Sequence, residues 1–387
     1  MSSPVPNQSV LPPLGLYIHL PWCERKCPYC DFNSHERDII PEEAYIDALL
    51  ADLEREMVGV QDRPLHSLFI GGGTPSLFSA RAIARLMDGV RTRLVLTETF
   101  EATMEANPGS AEAERFAGFF AAGINRLSLG VQSFDDALLH RLGRVHDSRQ
   151  ARQAVQLARA AGFENINIDL MHGLPGQTIE RARTDMETAL SLQTTHLSWY
   201  QLTLEPNTVF HKRPPTLPVE NTLATIQDEG EALLAEAGLV QYEVSAYSQQ
   251  GKECAHNRNY WSFGDYLAIG AGAHGKCTFE DGRIVRYAKL RQPDAYMQAS
   301  TIGQRVSERT LSDEDKIGEF MLNALRLNAG FSQTLFEQRT GLPSTLIAQP
   351  IERLVQRQLI EIDEGVIRTT SLGKRFLDSV VGEFFSY

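Results

Sequence analysis

The sequence contains no uninterrupted apolar run of about 18 residues, so no membrane-spanning helix is expected. Cysteine is sparse, with five in 387 residues and three of those in a single loop. That usage excludes a disulfide scaffold and points to a reducing compartment. No second C-x2-C or Cys/His pair follows the loop, and no C-x-x-C-H exists for covalent c-type haem attachment. There is no long basic run either; Lys+Arg 37 against Asp+Glu 49 leaves a net charge of −12, and nucleic acid is not an expected partner. Met1–Gly15 is rich in Pro and Ser and has no basic segment followed by an apolar one, so a cytoplasmic protein is expected. With 42% apolar and 22% charged residues, the chain has the balance of an ordinary globular protein.

What is present starts with Cys23-Glu24-Arg25-Lys26-Cys27-Pro28-Tyr29-Cys30, directly after the apolar run Leu16–Leu20. Thiolates are the usual ligands of iron–sulfur clusters, and C-x3-C-x2-C spacing places three of them on one face of a [4Fe–4S] cube. Two residues beyond the third cysteine stands Phe32, so one iron is left without a protein thiolate and is open to a chelating ligand. The competing readings are a structural zinc, which normally wants four closed ligands, and a chance trio of core cysteines.

Along the chain, strands alternate with helices of about a dozen residues. Strands are expected at 16–20, 65–70, 99–106, 126–132, 165–170 and 196–204, and helices near 80–94, 111–122, 148–161 and 179–191. Such alternation implies right-handed crossovers and a parallel sheet. Within the strands, Leu127, Leu129 and Val131 oppose Ser128, Gly130 and Gln132, while Ile166, Ile168 and Leu170 oppose Asn165, Asn167 and Asp169. Glu101, Thr103 and Glu105 share one face, as do Tyr17 and His19. A closed eight-stranded barrel fills its interior with branched residues. Small and polar residues on that face instead suit an open α/β barrel of six strands around a polar cavity; the alternative is a sheet with its polar face in water. A further strand is expected over Gln241–Tyr247, then the segment Cys254–Trp261 and the Gly-rich Tyr266–His274. The expected organisation is an N-terminal extension (1–15), a partial barrel (16–250), a barrel extension (251–304) and a helical, winged-helix-like unit (305–387). The last has three helices and a hairpin, without the basic patch of a DNA reader.

Taken in order, Cys23-x3-Cys27-x2-Cys30-Asp31-Phe32, Gly71-Gly-Gly-Thr-Pro75, Glu105-Ala-Asn-Pro-Gly109, Gly130-Val-Gln-Ser-Phe134, Leu142-Gly-Arg144 and Asp169-Leu-Met-x-Gly-Leu-Pro-Gly176 resemble the radical S-adenosylmethionine (SAM) superfamily. The resemblance covers residues 14–380 and is to the oxygen-independent coproporphyrinogen III oxidase-like family. It implies a partial (β/α)6 radical SAM barrel in which Cys23, Cys27 and Cys30 hold the cluster. By the same resemblance Tyr17 and Tyr29 flank SAM, Gly72 and Gly73 let the backbone approach its amino group, and Thr74 offers a hydroxyl. Glu105, Gln132, Arg144 and Asp169 are then polar partners of SAM; Gly73, Thr74, Gln132, Arg144 and Asp169 match positions that contact a second SAM. Read without the resemblance, the glycines are also a strand-to-helix turn, the acids are also caps or ion-pair partners, and Arg144 is also a surface base.

Two features separate the branches of that family. The oxidase branch has a further cysteine where this chain has Phe32, and a longer arm than the 22 residues ahead of Cys23. The haem-chaperone branch, HemW, carries the motif present here as His256-Asn257-Arg258-Asn259-Tyr260-Trp261. The resemblance therefore implies a haem chaperone that binds a [4Fe–4S] cluster, SAM and haem and passes haem to an acceptor protein, a membrane-associated one included, as a monomer or dimer. His256 is the expected haem ligand and His274 a second candidate, with Tyr260 and Trp261 as flat surfaces for the porphyrin; a lone histidine is otherwise a satisfied core or surface residue. Cys254 and Cys277 are expected to be inert buried thiols. The alternative is an enzyme, the oxidase itself, which decarboxylates porphyrinogen propionates by a radical route.

Overall fold

The structure is a computed structural model that describes residues 11–60, 62–109, 113–299 and 304–385. Six strands stand side by side in chain order: β1 (Leu14–Leu20), β2 (Leu65–Gly72), β3 (Leu96–Ala106), β4 (Arg126–Gln132), β5 (Asn165–His172) and β6 (His196–Gln201). Each is parallel to the next. The alternation in sequence explains the layering. Leu127, Leu129, Ile166 and Ile168 are buried on the outer face of the sheet beneath the helices. Helix Ser148–Ala160 turns Ala151, Ala154, Val155 and Ala158 onto that face, and its alanines let it sit close. Its start is fixed by a capping box in which Asp147 and Gln150 satisfy each other's backbone N–H groups. Ser79 and Thr178 cap helices Ala80–Arg91 and Ile179–Ser191 with their hydroxyls.

The parallel core is part of a twelve-stranded sheet that does not close, because β1 and β6 each pair outward. Beyond β6 lie antiparallel Ala246–Ser248 and Val240–Glu243. These replace the single strand expected at 241–247. The chain reverses at Val244-Ser245, where the Glu243 carboxylate accepts the Ser245 N–H at 3.1 Å. Beyond β1 lies Asp265–Ile269, a further parallel strand hidden in the Gly-rich stretch. Antiparallel His274–Thr278, Ile284–Lys289 and Arg305–Thr310 complete that edge. Arg305–Thr310 had been expected in the C-terminal unit; it belongs to the large sheet by its pairing.

After it, helices Asp313–Ala324, Gln333–Thr340 and Thr345–Gln356 precede the hairpin Ile360–Asp363 and Val366–Thr369, with Phe331–Ser332 as the third strand. Phe320, Phe331, Phe336, Leu354 and Ile367 give this winged-helix-like unit its own core. The expected helix at 111–122 is present as Phe116–Ala121, and 110–112 and the first ten residues of the N-terminal extension lie outside the described residues. No helix among the described residues is long and apolar enough to cross a membrane.

Candidate functional site

At the C-terminal ends of the parallel strands lies a cavity of about 390 Å3. Its wall brings together Cys23, Cys27, Tyr29 and Cys30 from the loop after β1, Gly72, Gly73 and Thr74 at the end of β2, Glu105 of β3, Gln132 of β4, Arg144, and Asp169 of β5. Cys23 is fixed in a two-residue pairing of Trp22–Cys23 with His35–Glu36, and the Cys30 N–H donates to the Cys27 carbonyl at 3.1 Å, tightening the turn. Every sulfur faces a polar hydrogen. The Thr74 hydroxyl donates to Cys23 Sγ at 3.5 Å and Arg144 to Cys27 Sγ at 3.8 Å, while the Ser34 hydroxyl lies 3.9 Å from Cys30 Sγ. Burial raises the Cys23 and Cys30 thiols, so an ion that replaces their protons suits them better than free ionisation.

The opposite wall is acidic. Burial, reinforced by the neighbouring Asp169, raises the Glu105 carboxyl to about 8. Asp169 is raised by burial as well. Their hydrogen bonds come from neutral groups: the Gly72 N–H to Glu105 at 3.2 Å, and Ser128 at 2.9 Å and Asn167 at 2.7 Å to Asp169. Two half-buried carboxyls that face the cavity and are served only by neutral donors suit a cationic ligand there. Arg144 is directed elsewhere, onto Asn107 Oδ1 at 2.7 Å and the Gly130 carbonyl at 2.6 Å. Gln132 adopts a left-handed φ of 69° at a register irregularity between β4 and β5, and accepts the Tyr200 hydroxyl at 2.8 Å. A non-glycine residue held there is the kind of local strain found at ligand sites.

Gly72 and Gly73 are needed for packing as well as for any ligand. A Cβ on Gly72, at φ +117°, would meet the His19 ring at 2.5 Å, and one on Gly73 would meet the Trp22 carbonyl oxygen at 2.5 Å. Tyr17 does not line the cavity. It lies below, its hydroxyl 2.7 Å from His19 Nδ1 and its ring against Phe69.

His256 is not brought to the cavity either. Helix Ala255–Trp261 closes the opposite end of the barrel, and His256 is 7% exposed there, stacked on Phe69 with centroids 4.1 Å apart. Burial, with Arg126 nearby, lowers its basicity well below the ordinary value, so the ring is neutral. Tyr260 packs on His256 and Tyr266, and Trp261 lies under Arg326. The flat surfaces are thus taken. His274 is exposed. The polar barrel interior is therefore hollow only in its upper half; the lower half is plugged. Ser128 lines the cavity as its strand face implied, whereas Asn107, Ser198 and Tyr200 were not singled out from the sequence as cavity residues. For the last two the signal was available, since Ser198 and Tyr200 alternate on β6.

Comparison with known proteins agrees with this geometry. The profile of the Radical SAM superfamily matches residues 17–189, and that of the HemN C-terminal domain matches 311–376. The structure of Escherichia coli coproporphyrinogen III oxidase (HemN) superposes with a TM-score of 0.81, covering 97% of this chain and 91% of that one at 24% identity, which speaks for the fold alone. Fold and cysteine loop make this a radical SAM protein, a class that carries a [4Fe–4S] cluster and SAM. Heme chaperone HemW of Haemophilus influenzae is 48% identical over 381 residues, 97% of this chain and 99% of the relative. The protein of the same name from E. coli is 47% identical over 377 residues, 97% and 99% of the two chains. That from Bacillus subtilis is 35% identical over 378 residues, 95% and 98%. Within the superfamily, the chain belongs to the HemW family.

Proposed function

We propose that this protein is a haem chaperone that holds a [4Fe–4S] cluster through Cys23, Cys27 and Cys30, binds SAM in the adjoining cavity, and passes haem to an acceptor protein. The observation that carries the reading is the convergence of the three thiols, each beside a polar hydrogen, on a cavity whose far wall holds two half-buried carboxyls. When bound, the cluster offers an open iron to the amino and carboxylate groups of SAM. Glu105 and Asp169 balance the positive charge of the ligand, and Gln132, Thr74 and the Gly72-Gly73 backbone orient it. Tyr29 walls the cluster side, and Tyr17 supports it from beneath. Arg144 steadies Cys27 and the Asn107 loop. Phe32, which lines the cavity at 59% exposure, leaves the fourth corner without a thiolate.

In this reading haem is taken up when helix Ala255–Trp261 leaves the barrel floor and frees His256. Support comes from the HemW relatives and from the intact His256–Trp261 motif. The test is anaerobic reconstitution followed by haem titration, read from Soret absorbance, with His256→Ala and His274→Ala beside the parent. Saturable uptake that falls in His256→Ala supports the reading. No uptake by cluster-loaded protein overturns it, and vinyl product from coproporphyrinogen III would favour the oxidase instead.

A further inference from the structure

The plugged end of the barrel contains a second group of metal-ligating side chains, unrelated to the cysteine loop. Glu101 projects inward from β3, and Cys254 and His256 flank the start of helix Ala255–Trp261. Their donor atoms converge: Cys254 Sγ lies 3.0 Å from His256 Nδ1 and 3.7 Å from Glu101 Oε1, and His256 Nδ1 lies 3.9 Å from the same oxygen. One donor atom from each of the three lies within 4.8 Å of the other two, and Cys254 and His256 are buried. Bonds of about 2.0–2.3 Å to a tetrahedral ion put sulfur, nitrogen and oxygen donors roughly 3–4 Å apart, the separations seen here.

We propose that Glu101, Cys254 and His256 bind one divalent zinc-like ion that clasps helix Ala255–Trp261 to the floor of the barrel. One thiolate, one imidazole and one carboxylate form a donor set that suits zinc. Hard cations such as magnesium or calcium would want oxygen ligands throughout. The imidazole is ready to coordinate without losing a proton, since burial keeps it neutral. Binding displaces the Cys254 thiol proton to solvent, and the thiolate and the Glu101 carboxylate together balance the charge of the ion. Arg126, whose Nε has no hydrogen-bond partner, is the neighbouring fixed positive charge, and burial raises the Cys254 thiol against free ionisation. The bland account assigns each contact a separate duty. Glu101 accepts the Ala255 N–H at 2.9 Å and so caps the helix, while Cys254 and His256 merely touch. It gives no reason for thiol, imidazole and carboxylate to meet at one point. Cys254, read from sequence as an inert thiol, becomes a ligand.

The test is zinc and iron content of the cluster-reconstituted full-length protein after equilibration with zinc and a gentle chelator wash, with zinc-edge X-ray absorption. About one zinc per chain with a single sulfur neighbour is expected. Cys254→Ser and Glu101→Gln should lose at least ten-fold in zinc affinity with iron content unchanged. Zinc with three sulfur neighbours would mean adventitious occupation of the cysteine loop and would overturn the proposal. So would parent protein that keeps no zinc, or zinc binding unaffected by both substitutions. Circular dichroism of the variants separates lost ligation from lost folding. None of these outcomes depends on haem, so failure here leaves the chaperone reading to its own test; in that reading the ion leaves before His256 is freed for haem.

Discussion

The two ends of this barrel are built from the same inward strand faces, yet one is a cavity and the other a plug. Toward the C-terminal end, β2 contributes Gly71 and Gly72, β4 contributes Gly130, and the side chains that remain are Glu105, Gln132, Asp169 and Tyr200, with room between them. Toward the N-terminal end the same strands present Phe69, Glu101 and Arg126, and the helix inserts His256 among them. Both ends bring cysteine sulfur together with half-buried acid. What differs is side-chain volume and access. The comparison teaches that polarity of the inward face does not by itself make a pocket; glycine at the right level does.

The comparison can be broken in several ways, taken from the largest expected effect downward. Replacing Cys23, Cys27 or Cys30 with Ala should abolish iron retention after anaerobic desalting while leaving the plugged end folded. If iron stayed at parental levels, the cavity would not be the cluster end. His256→Ala removes a buried ring stacked on Phe69, so by analogy with aromatic truncations it should cost about 2–4 kcal/mol in chemical denaturation. Cluster content should not change, because the ring lies outside the cavity. Gly73→Ala drives a Cβ against the Trp22 carbonyl oxygen and should cost about 1–3 kcal/mol. Unlike His256→Ala, it should also weaken iron retention, since Trp22 adjoins Cys23.

A pH series sharpens the picture by the smallest effect. The Glu105 carboxyl sits at about 8 in the folded chain against an ordinary 4.5, so folding favours its protonated form. Its contribution is fully present below about 4.5 and is lost as pH rises toward about 8. Denaturation of SAM-free protein across that window should show this decline in the parent and a flatter profile in Glu105→Gln. Parallel profiles would place Glu105 in contact with water or a cation.

Much of the upper end was legible in the sequence. The succession of strands and helices implied the parallel sheet, and period-two alternation in β3, β4 and β5 gave the inward parity of Glu105, Gln132 and Asp169, because one face must meet helices and the other cannot be apolar around a polar ligand. The lower end was not legible. Helix Ala255–Trp261 is seven residues long, too short for a periodic stripe, and buries only His256 and Asn259, the first of them against Phe69 of the barrel. Strand Asp265–Ile269 runs straight into Gly270 and Gly272, both with positive φ, so the sequence showed only a Gly-rich stretch there. The site reason for Gly72 and Gly73 was read as ligand approach; the packing of His19 and Trp22 against them joins residues about fifty positions apart and leaves no local signal.

The central claim is a three-thiolate cluster whose open iron faces the acidic cavity. Electron paramagnetic resonance of the reduced cluster, recorded with and without SAM, tests it most directly. The account predicts a [4Fe–4S] signal that shifts on adding SAM in the parent and shifts less in Asp169→Asn. A signal indifferent to SAM, or a loop that holds zinc with no cluster signal, would contradict it.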